Sequence, residues 1–267
     1  MPETINRTLS RGLRMLEVLS RHPKGLALHE LSRELDLPKS TAYNLIRTLV
    51  GLKYAIFNPI DNVYTLGLSM FEVGSAAINN YEMIDFIRTE MANIFSRTNE
   101  TIHLGMRVEG DIIYINKIDT TQPVKMNSYI GARVPLYATA MGKAVLSDLP
   151  DRDVRRICRG SFTRFTENTV PDVERLIAQL ALCRSAGYAI EQDEHCQGIS
   201  CVAIHLPPFG QGSDFAVSIS LPSYRTSGEV LEKYGQILLA SKDTLRRMAA
   251  VYRSELPEAG ESTGVKG

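Results

Sequence analysis

The chain has 267 residues, 44% of them hydrophobic and 22% charged, with 30 Lys plus Arg against 30 Asp plus Glu. That length fits two domains of unequal size, and that composition can bury real cores, which excludes a disordered chain. Zero net charge does not by itself announce a nucleic-acid partner, but the charges are unevenly spread: residues 1–60 hold nine Lys/Arg against five Asp/Glu, a net of +4 that leaves −4 for the remainder.

The start MPETINRTLSRGL lacks the apolar stretch of a signal peptide, and nowhere do about 18 apolar residues run together. A cytoplasmic location with no membrane contact is expected. Cys158, Cys183, Cys196 and Cys201 form no CxxC pair. They are expected to be free thiols, with no metal site and no cofactor.

The spacing of Leu9, Leu13, Leu16 and Leu19 predicts a first helix from Arg7 to Arg21, ended by HPKG. Leu28, Leu31 and Leu35 mark a second helix, closed by DLP, and a third begins near Pro38. In the third, Ala42, Leu45, Ile46 and Leu49 form one buried stripe, while Lys39, Ser40, Thr41, Tyr43, Asn44, Arg47 and Thr48 face the other way. No acid lies between Lys39 and Lys53. A helix turned only to water usually carries Glu and Lys pairs, whereas hydroxyl, amide and guanidinium groups suit phosphate oxygens and base edges.

A turn of about three residues before this helix has helix-turn-helix length. The stretch YAIFNPIDNVYTL reads as a hairpin, the wing of a winged helix-turn-helix. The alternative is a small helical cap with a solvated face. Short turn, acid-free third helix and hairpin together favour double-stranded DNA, contacted by Lys39, Ser40, Thr41, Tyr43, Asn44, Arg47 and Lys53. A linker helix follows in LGLSMFEVGSAAINN, with Leu66, Met70, Val73 and Ala77 spaced for burial on its own chain or on its copy in a dimer. The dimer is preferred, because one winged helix covers little DNA.

From about Tyr81 the pattern turns to mixed α/β, with a helix near 82–98 and strands in ETIHLGMRV, DIIYINKID and VKMNSYIG. LYATAMGKAVLSDL and Val173–Ser185 read as helices, YAIEQD, CVAIHLP and FAVSISLP as strands, and Gly228–Tyr252 as a final helix. The expected class is α+β, an antiparallel sheet with helices on one side. The expected division is 1–66 winged helix-turn-helix, 67–80 linker helix, 81–256 effector domain and 257–267 disordered tail.

Three strands alternate between a bulky apolar face and a face of small or polar groups: Thr101, His103, Gly105 and Arg107 in the first, Cys201, Ala203 and His205 in the second, Ala216, Ser218 and Ser220 in the third. Such a face either meets water or lines a covered polar pocket, and Cys, Ala and paired Ser favour the pocket. Ser218 and Ser220 would offer hydroxyls. Backbone N–H groups near Gly131 and at the start of ATAMGKA would hold a carboxylate. Glu191, Asp193 and Glu194 would accept from ligand hydroxyls, or form a solvated turn.

Taken together, LPKSTAYNLIRTL, ETIHLG, IYINKID, YIGARVPLYATAMGKA, GYAIEQDEHCQGISCVAI and FAVSISLP resemble the IclR family of bacterial transcriptional regulators over nearly the whole length. The resemblance implies a winged helix-turn-helix, a linker helix and a GAF-like effector domain, in dimers or dimers of dimers on palindromic operators, often as repressors. It implies a pocket for small organic acids at Gly131, Ala132, Glu191, Cys201, Ser218 and Ser220. The wording is nearest to members that control sugar-acid catabolism. Two departures stand out: Gln192, where many members have an acid, and His205, where many have Pro. His205 joins Asp193 among the expected effector contacts.

Two competing readings remain. A Cys/His-dependent enzyme would pair Cys201 with His205, His103 or His195. His205, four residues along the same strand, lies about 13 Å away. His103 could approach from another strand, but no G-x-S-x-G, P-loop or metal-ligand motif is present. A sensor-type protein-interaction module would need partner-facing helices, against which the acid-free third helix argues.

Overall fold

The computed structural model describes residues 6–79, 84–160, 162–206 and 214–255. The chain divides into two compact units, Met1–Tyr81 and Glu82–Gly267.

Unit 1 runs α1 (Arg7–Arg21), α2 (Leu28–Glu34), α3 (Lys39–Gly51), β1 (Ala55–Asn58), β2 (Val63–Leu66) and α4 (Ser69–Asn79). Asn6 caps α1 by accepting the Leu9 N–H at 3.0 Å, satisfying a donor that the helix leaves open. Met15, Leu19, Leu31, Ala42 and Ile46 meet in a closed core. Leu9 and Leu13, expected in the buried stripe, are 62% and 52% exposed, so α1 buries Met15, Leu16, Val18 and Leu19 instead.

Between α2 and α3, Asp36 adopts a left-handed conformation (φ 50°). Ser32 spans that turn: its carbonyl accepts the Leu37 N–H at 2.9 Å and its hydroxyl donates to the Leu37 carbonyl at 2.6 Å. The turn is thereby set from within, which fixes how α3 leaves α2. The hairpin of β1 and β2 is antiparallel, with Asn58 accepting the Ile60 N–H at 2.9 Å in its loop.

Unit 2 runs α5 (Ile84–Thr98), β3 (Thr101–Val108), β4 (Asp111–Ile118), β5 (Arg133–Pro135), α6 (Ala140–Ser147), α7 (Asp151–Ile157), α8 (Val173–Ala186), β6 (Ala189–Gln192), β7 (Ile199–His205), β8 (Phe215–Pro222) and α9 (Gly228–Glu255). Six antiparallel strands lie in the order β5-β4-β3-β8-β7-β6. The stretch VKMNSYIG is no strand; the third ladder partner is the short Arg133–Pro135, and α7 was not anticipated.

Helices cover both faces of this sheet, not one side. α6 contacts β3, β4, β6, β7 and β8, with α8 packed on α6, while α5 and α9 pack on each other and on β3, β7 and β8. Bulky residues such as Leu104, Val202, Ile204, Val217 and Ile219 are almost fully buried on the α5/α9 side. On the other side α6 comes close because the strands carry small groups there. A Cβ on Gly105 would lie 2.3 Å from the Ile112 side chain and 3.1 Å from Met141 Sδ. Gly142 is tighter still, its missing Cβ falling 2.1 Å from the Leu136 carbonyl oxygen.

The expected tail, 257–267, and the expected helix start at 82–83 lie outside the described residues. Among the described residues, no helix is long and apolar enough to cross a membrane.

Candidate functional site

Two regions of the molecule carry the expected site residues. In unit 1, α3 buries Ala42 and Ile46 and leaves Lys39, Ser40, Tyr43, Asn44 and Arg47 exposed, with Thr41 half-buried. Lys53 follows the helix in a left-handed turn (φ 64°) and is exposed. None of Lys39, Arg47 and Lys53 forms an ion pair among the described residues. All three are thus exposed cations without an acidic partner among the described residues, as phosphate contacts require.

In unit 2 the register brings polar residues of separate strands side by side. Glu191 pairs with Cys201 and Cys201 with Ser220, while Ser218 lies between Ala203 and His103. Above them sits the start of α6, where Thr139 caps the helix by accepting the Gly142 N–H at 3.2 Å. Tyr114, Met126, Thr139, Ala140, Met141, Glu191, His195, Cys196, Ile199, Cys201, Ser218 and Ser220 line a cavity there. The empty space at these side chains, part of it open to solvent, is about 330 Å³, yet only about 10 Å³ of it admits the centre of a water molecule. That is room for about one ordered water, so the cavity is narrow around its polar groups.

Glu191 is the charged group of this wall. Its Oε1 accepts the N–H groups of Glu194 at 2.5 Å and His195 at 3.2 Å. Burial still dominates those bonds and pushes the carboxyl up to about 7, with Glu194 nearby adding to the rise. No Lys or Arg stands among the described lining residues. The Cys201 thiol donates to Ser220 Oγ at 3.2 Å, and burial together with Glu191 drives its pKa well above the usual thiol range. A thiol held protonated in this way is not an activated nucleophile.

Several expected contacts stand elsewhere. His205 is turned from the cavity to the far end of its strand, where Nδ1 bonds Asp148 Oδ2 at 2.7 Å. The reason is distance along the strand: its register partner is Ala216, under the body of α6, not Ser220. Asp193 braces the 193–198 turn, accepting the Gly198 N–H at 2.5 Å and the Ser223 hydroxyl at 2.9 Å. The N–H of Gly131 is already given to the Tyr114 carbonyl at 2.7 Å and that of Ala132 to the Tyr129 carbonyl at 3.2 Å, so neither is open to a carboxylate in this state. Glu194 forms an ion pair with Lys143, which is only 1% exposed inside α6.

Tyr114, Thr139, Met141 and His195 reach the cavity without being singled out by strand alternation. The start of α6 was legible as a helix end. Tyr114 was not, because its strand reads as apolar on both faces.

The comparisons with known proteins follow this geometry. Residues 8–58 match the family described as IclR helix-turn-helix domain, and residues 75–247 match the one described as Bacterial transcriptional regulator IclR C-terminal. The chain belongs to the IclR family of transcriptional regulators. Among its IclR relatives, the HTH-type transcriptional regulator KdgR of Escherichia coli K12 is 36% identical over 216 residues, 80% of this chain and 81% of that one. The HTH-type transcriptional repressor AllR of Klebsiella pneumoniae is 28% identical over 242 residues, 90% of this chain and 88% of that one. An IclR regulator from Alicyclobacillus acidocaldarius has a similar crystal structure, with a TM-score of 0.81 at 25% identity over 92% of this chain and 99% of that one. These IclR relatives are transcriptional regulators, not enzymes, and the family's DNA-binding head implies a DNA partner.

Proposed function

We propose that this IclR-family chain represses a catabolic operon, binding a palindromic operator as a dimer or dimer of dimers through α3, and that a small carboxylate in the unit 2 cavity modulates its affinity. Lys39, Ser40, Thr41, Tyr43, Asn44, Arg47 and Lys53 meet the DNA. Glu191, Cys201, Ser218 and Ser220, with the start of α6, meet the effector.

The observation that carries the effector reading is the cavity itself: Tyr114, Ser218 and Ser220 line a space beside the N-terminus of α6, which Thr139 caps. A sugar acid or related organic acid has the matching groups, a carboxylate for hydroxyl and helix N–H donors and hydroxyls for the Glu191 carboxylate. The space admits about one water, so a ligand of that size binds a more open state, and it shifts operator affinity only by its preference for that state. Dimerisation is supported by α4, where Phe71 and Val73 stand 72% and 56% exposed, and by the small footprint of one winged helix.

The test is operator binding by the full chain across a salt series, with its own upstream intergenic DNA, unrelated DNA as control, and sugar acids added in turn. A steep salt slope specific to the upstream DNA, changed by one acid, is expected. Arg47→Ala should weaken operator binding at least tenfold with effector binding unchanged, and Ser220→Ala should remove the response to the acid. Wild-type operator affinity in Arg47→Ala would remove α3 as the reading helix.

A further inference from the structure

His103 lies behind the cavity wall in β3, fully buried, and joins groups that belong to different parts of unit 2. Its Nδ1 is 3.3 Å from Ser220 Oγ on the wall, and its Nε2 is 2.7 Å from Ser128 Oγ. Ser128 sits in the segment 124–131, which has no helix or strand and brings Met126 onto the cavity. Lys117 holds the same segment by donating to the Ser128 carbonyl at 2.8 Å, and the ring of Tyr114 lies 4.6 Å from that of His103.

Burial, with Lys117 beside it, holds the pKa of His103 down to about 4, against a weaker opposite pull from Asp119. The ring is therefore neutral near pH 7, with one N–H and one lone pair. Its two ends are then tied together. If Nε2 carries the proton it donates to Ser128, and Nδ1 takes the Ser220 hydroxyl proton. If Nδ1 carries it, Ser220 accepts from the ring and its own proton is free to point into the cavity, while Ser128 donates to Nε2. With Cys201 donating to Ser220, the Nε2–H tautomer gives the protons of Cys201, Ser220 and His103 each an acceptor within this chain of groups. The Nδ1–H tautomer leaves the proton of the buried Ser220 without one, so in this state the ring proton is favoured on Nε2.

We propose that His103 is a positioning residue whose tautomer decides whether Ser220 presents a proton or a lone pair to the cavity, and that it passes this choice to Ser128 on the covering segment. The described cavity lining carries no Lys or Arg, so an anion there must be held by hydroxyl and backbone protons. The Nδ1–H tautomer is the one that suits a carboxylate. The ring proton changes nitrogen by exchange with solvent, and each hydroxyl keeps its own proton, so the relay reverses direction without changing charge. A ligand that takes the Ser220 proton thereby reverses the bond that holds the covering segment.

The experiment is nitrogen-15 NMR of the full chain labelled at histidine, with the His103 signals assigned by their loss in His103→Gln. The wild type should show Nε2 protonated and Nδ1 bare at pH 7. Ser128→Ala removes the acceptor of Nε2 and should move the proton to Nδ1. Ser220→Ala should keep it on Nε2, and Ser218→Ala, which has no bond to the ring, should match wild type. A purely structural histidine would show no such opposed response. A proton that stays on Nε2 in Ser128→Ala, or two protonated nitrogens at pH 7, would overturn the relay. The consequence for a ligand rests on the effector reading above, but the variants do not. If no small acid binds, that reading falls and the tautomer result stands; an unmoved proton sinks the relay and leaves the reading untouched.

Discussion

The inner face of the six-stranded sheet has two ends built from the same alternation. At one, Gly105 and Ala216 sit side by side across β3 and β8, and α6 comes close, with Met141 against Gly105. At the other, Cys201 and Ser220 sit side by side across β7 and β8, and the start of α6, Met126, His195 and Cys196 enclose a cavity with them. Both ends look alike in sequence, as short side chains every second residue. The first is small so that a helix can come close; the second is short because polar groups must meet in a space. What differs is how closely the cover comes down, onto a glycine at one end and over a cavity at the other, and that difference separates a packed end from a hollow one.

Breaking the cover at its charged point should have the largest effect. Lys143→Met leaves Glu194 buried without its partner, and loss of one member of a buried pair costs roughly 3–5 kcal/mol. Burial already raises the Glu194 pKa, so in the variant the acid can take up a proton. Urea unfolding should show a smaller loss at pH 5 than at pH 8.

Gly142→Ala attacks the close approach itself. Its Cβ would meet the Leu136 backbone, which cannot swing away as a side chain can, and about 3 kcal/mol of stability should be lost. An unfolding midpoint equal to wild type would mean that α6 does not rest where described.

Glu191→Gln tests the polar end. The folded pKa, about 7, is raised above the ordinary 4.5, so this group's contribution is complete below about pH 4.5 and is lost as pH rises through about 7. The lost amount is on the order of 3 kcal/mol. Gln keeps the acceptor for the Glu194 and His195 N–H groups, so relative to wild type the variant should gain stability steadily from pH 5 to pH 8. A flat difference across that range would mean that Lys143, already among the charges acting on Glu191, offsets the effect of burial.

Ser218→Ala should have the smallest effect. The change leaves a methyl beside Ala203 and should alter stability by at most about 1 kcal/mol. An isotherm for the effector, once found, should nevertheless weaken. Unchanged affinity would remove Ser218 from the binding hydroxyls.

The reading head was almost wholly legible, because its logic is local. Helical spacing sets α3, the acid-free face follows from the same count, and the hairpin is marked by its own turn residues. Even there, Leu9 and Leu13 fit the stripe of α1 yet stay exposed, since spacing tells which residues share a face and not how far the neighbouring elements extend. In unit 2 the alternation picked out Cys201, Ser218 and Ser220, which come together on the cavity with Glu191 from YAIEQDE. It also picked out His205, whose face is right and whose row is wrong.

Rows are set by strand pairing, and pairing here joins residues more than a hundred positions apart, such as Thr101 and Ser220. No local pattern encodes that. The sequence by itself determined the helices of the head, the polar face of α3, most of the strands and the membership of each strand face, because these follow from periods of 3.6 and 2 residues. Only the tertiary structure decided which end of the sheet is packed and which is hollow, why Asp193 braces a turn, and how His103 comes to lie between Ser220 and Ser128. Those outcomes depend on the register of strands distant in sequence and on where one short helix begins.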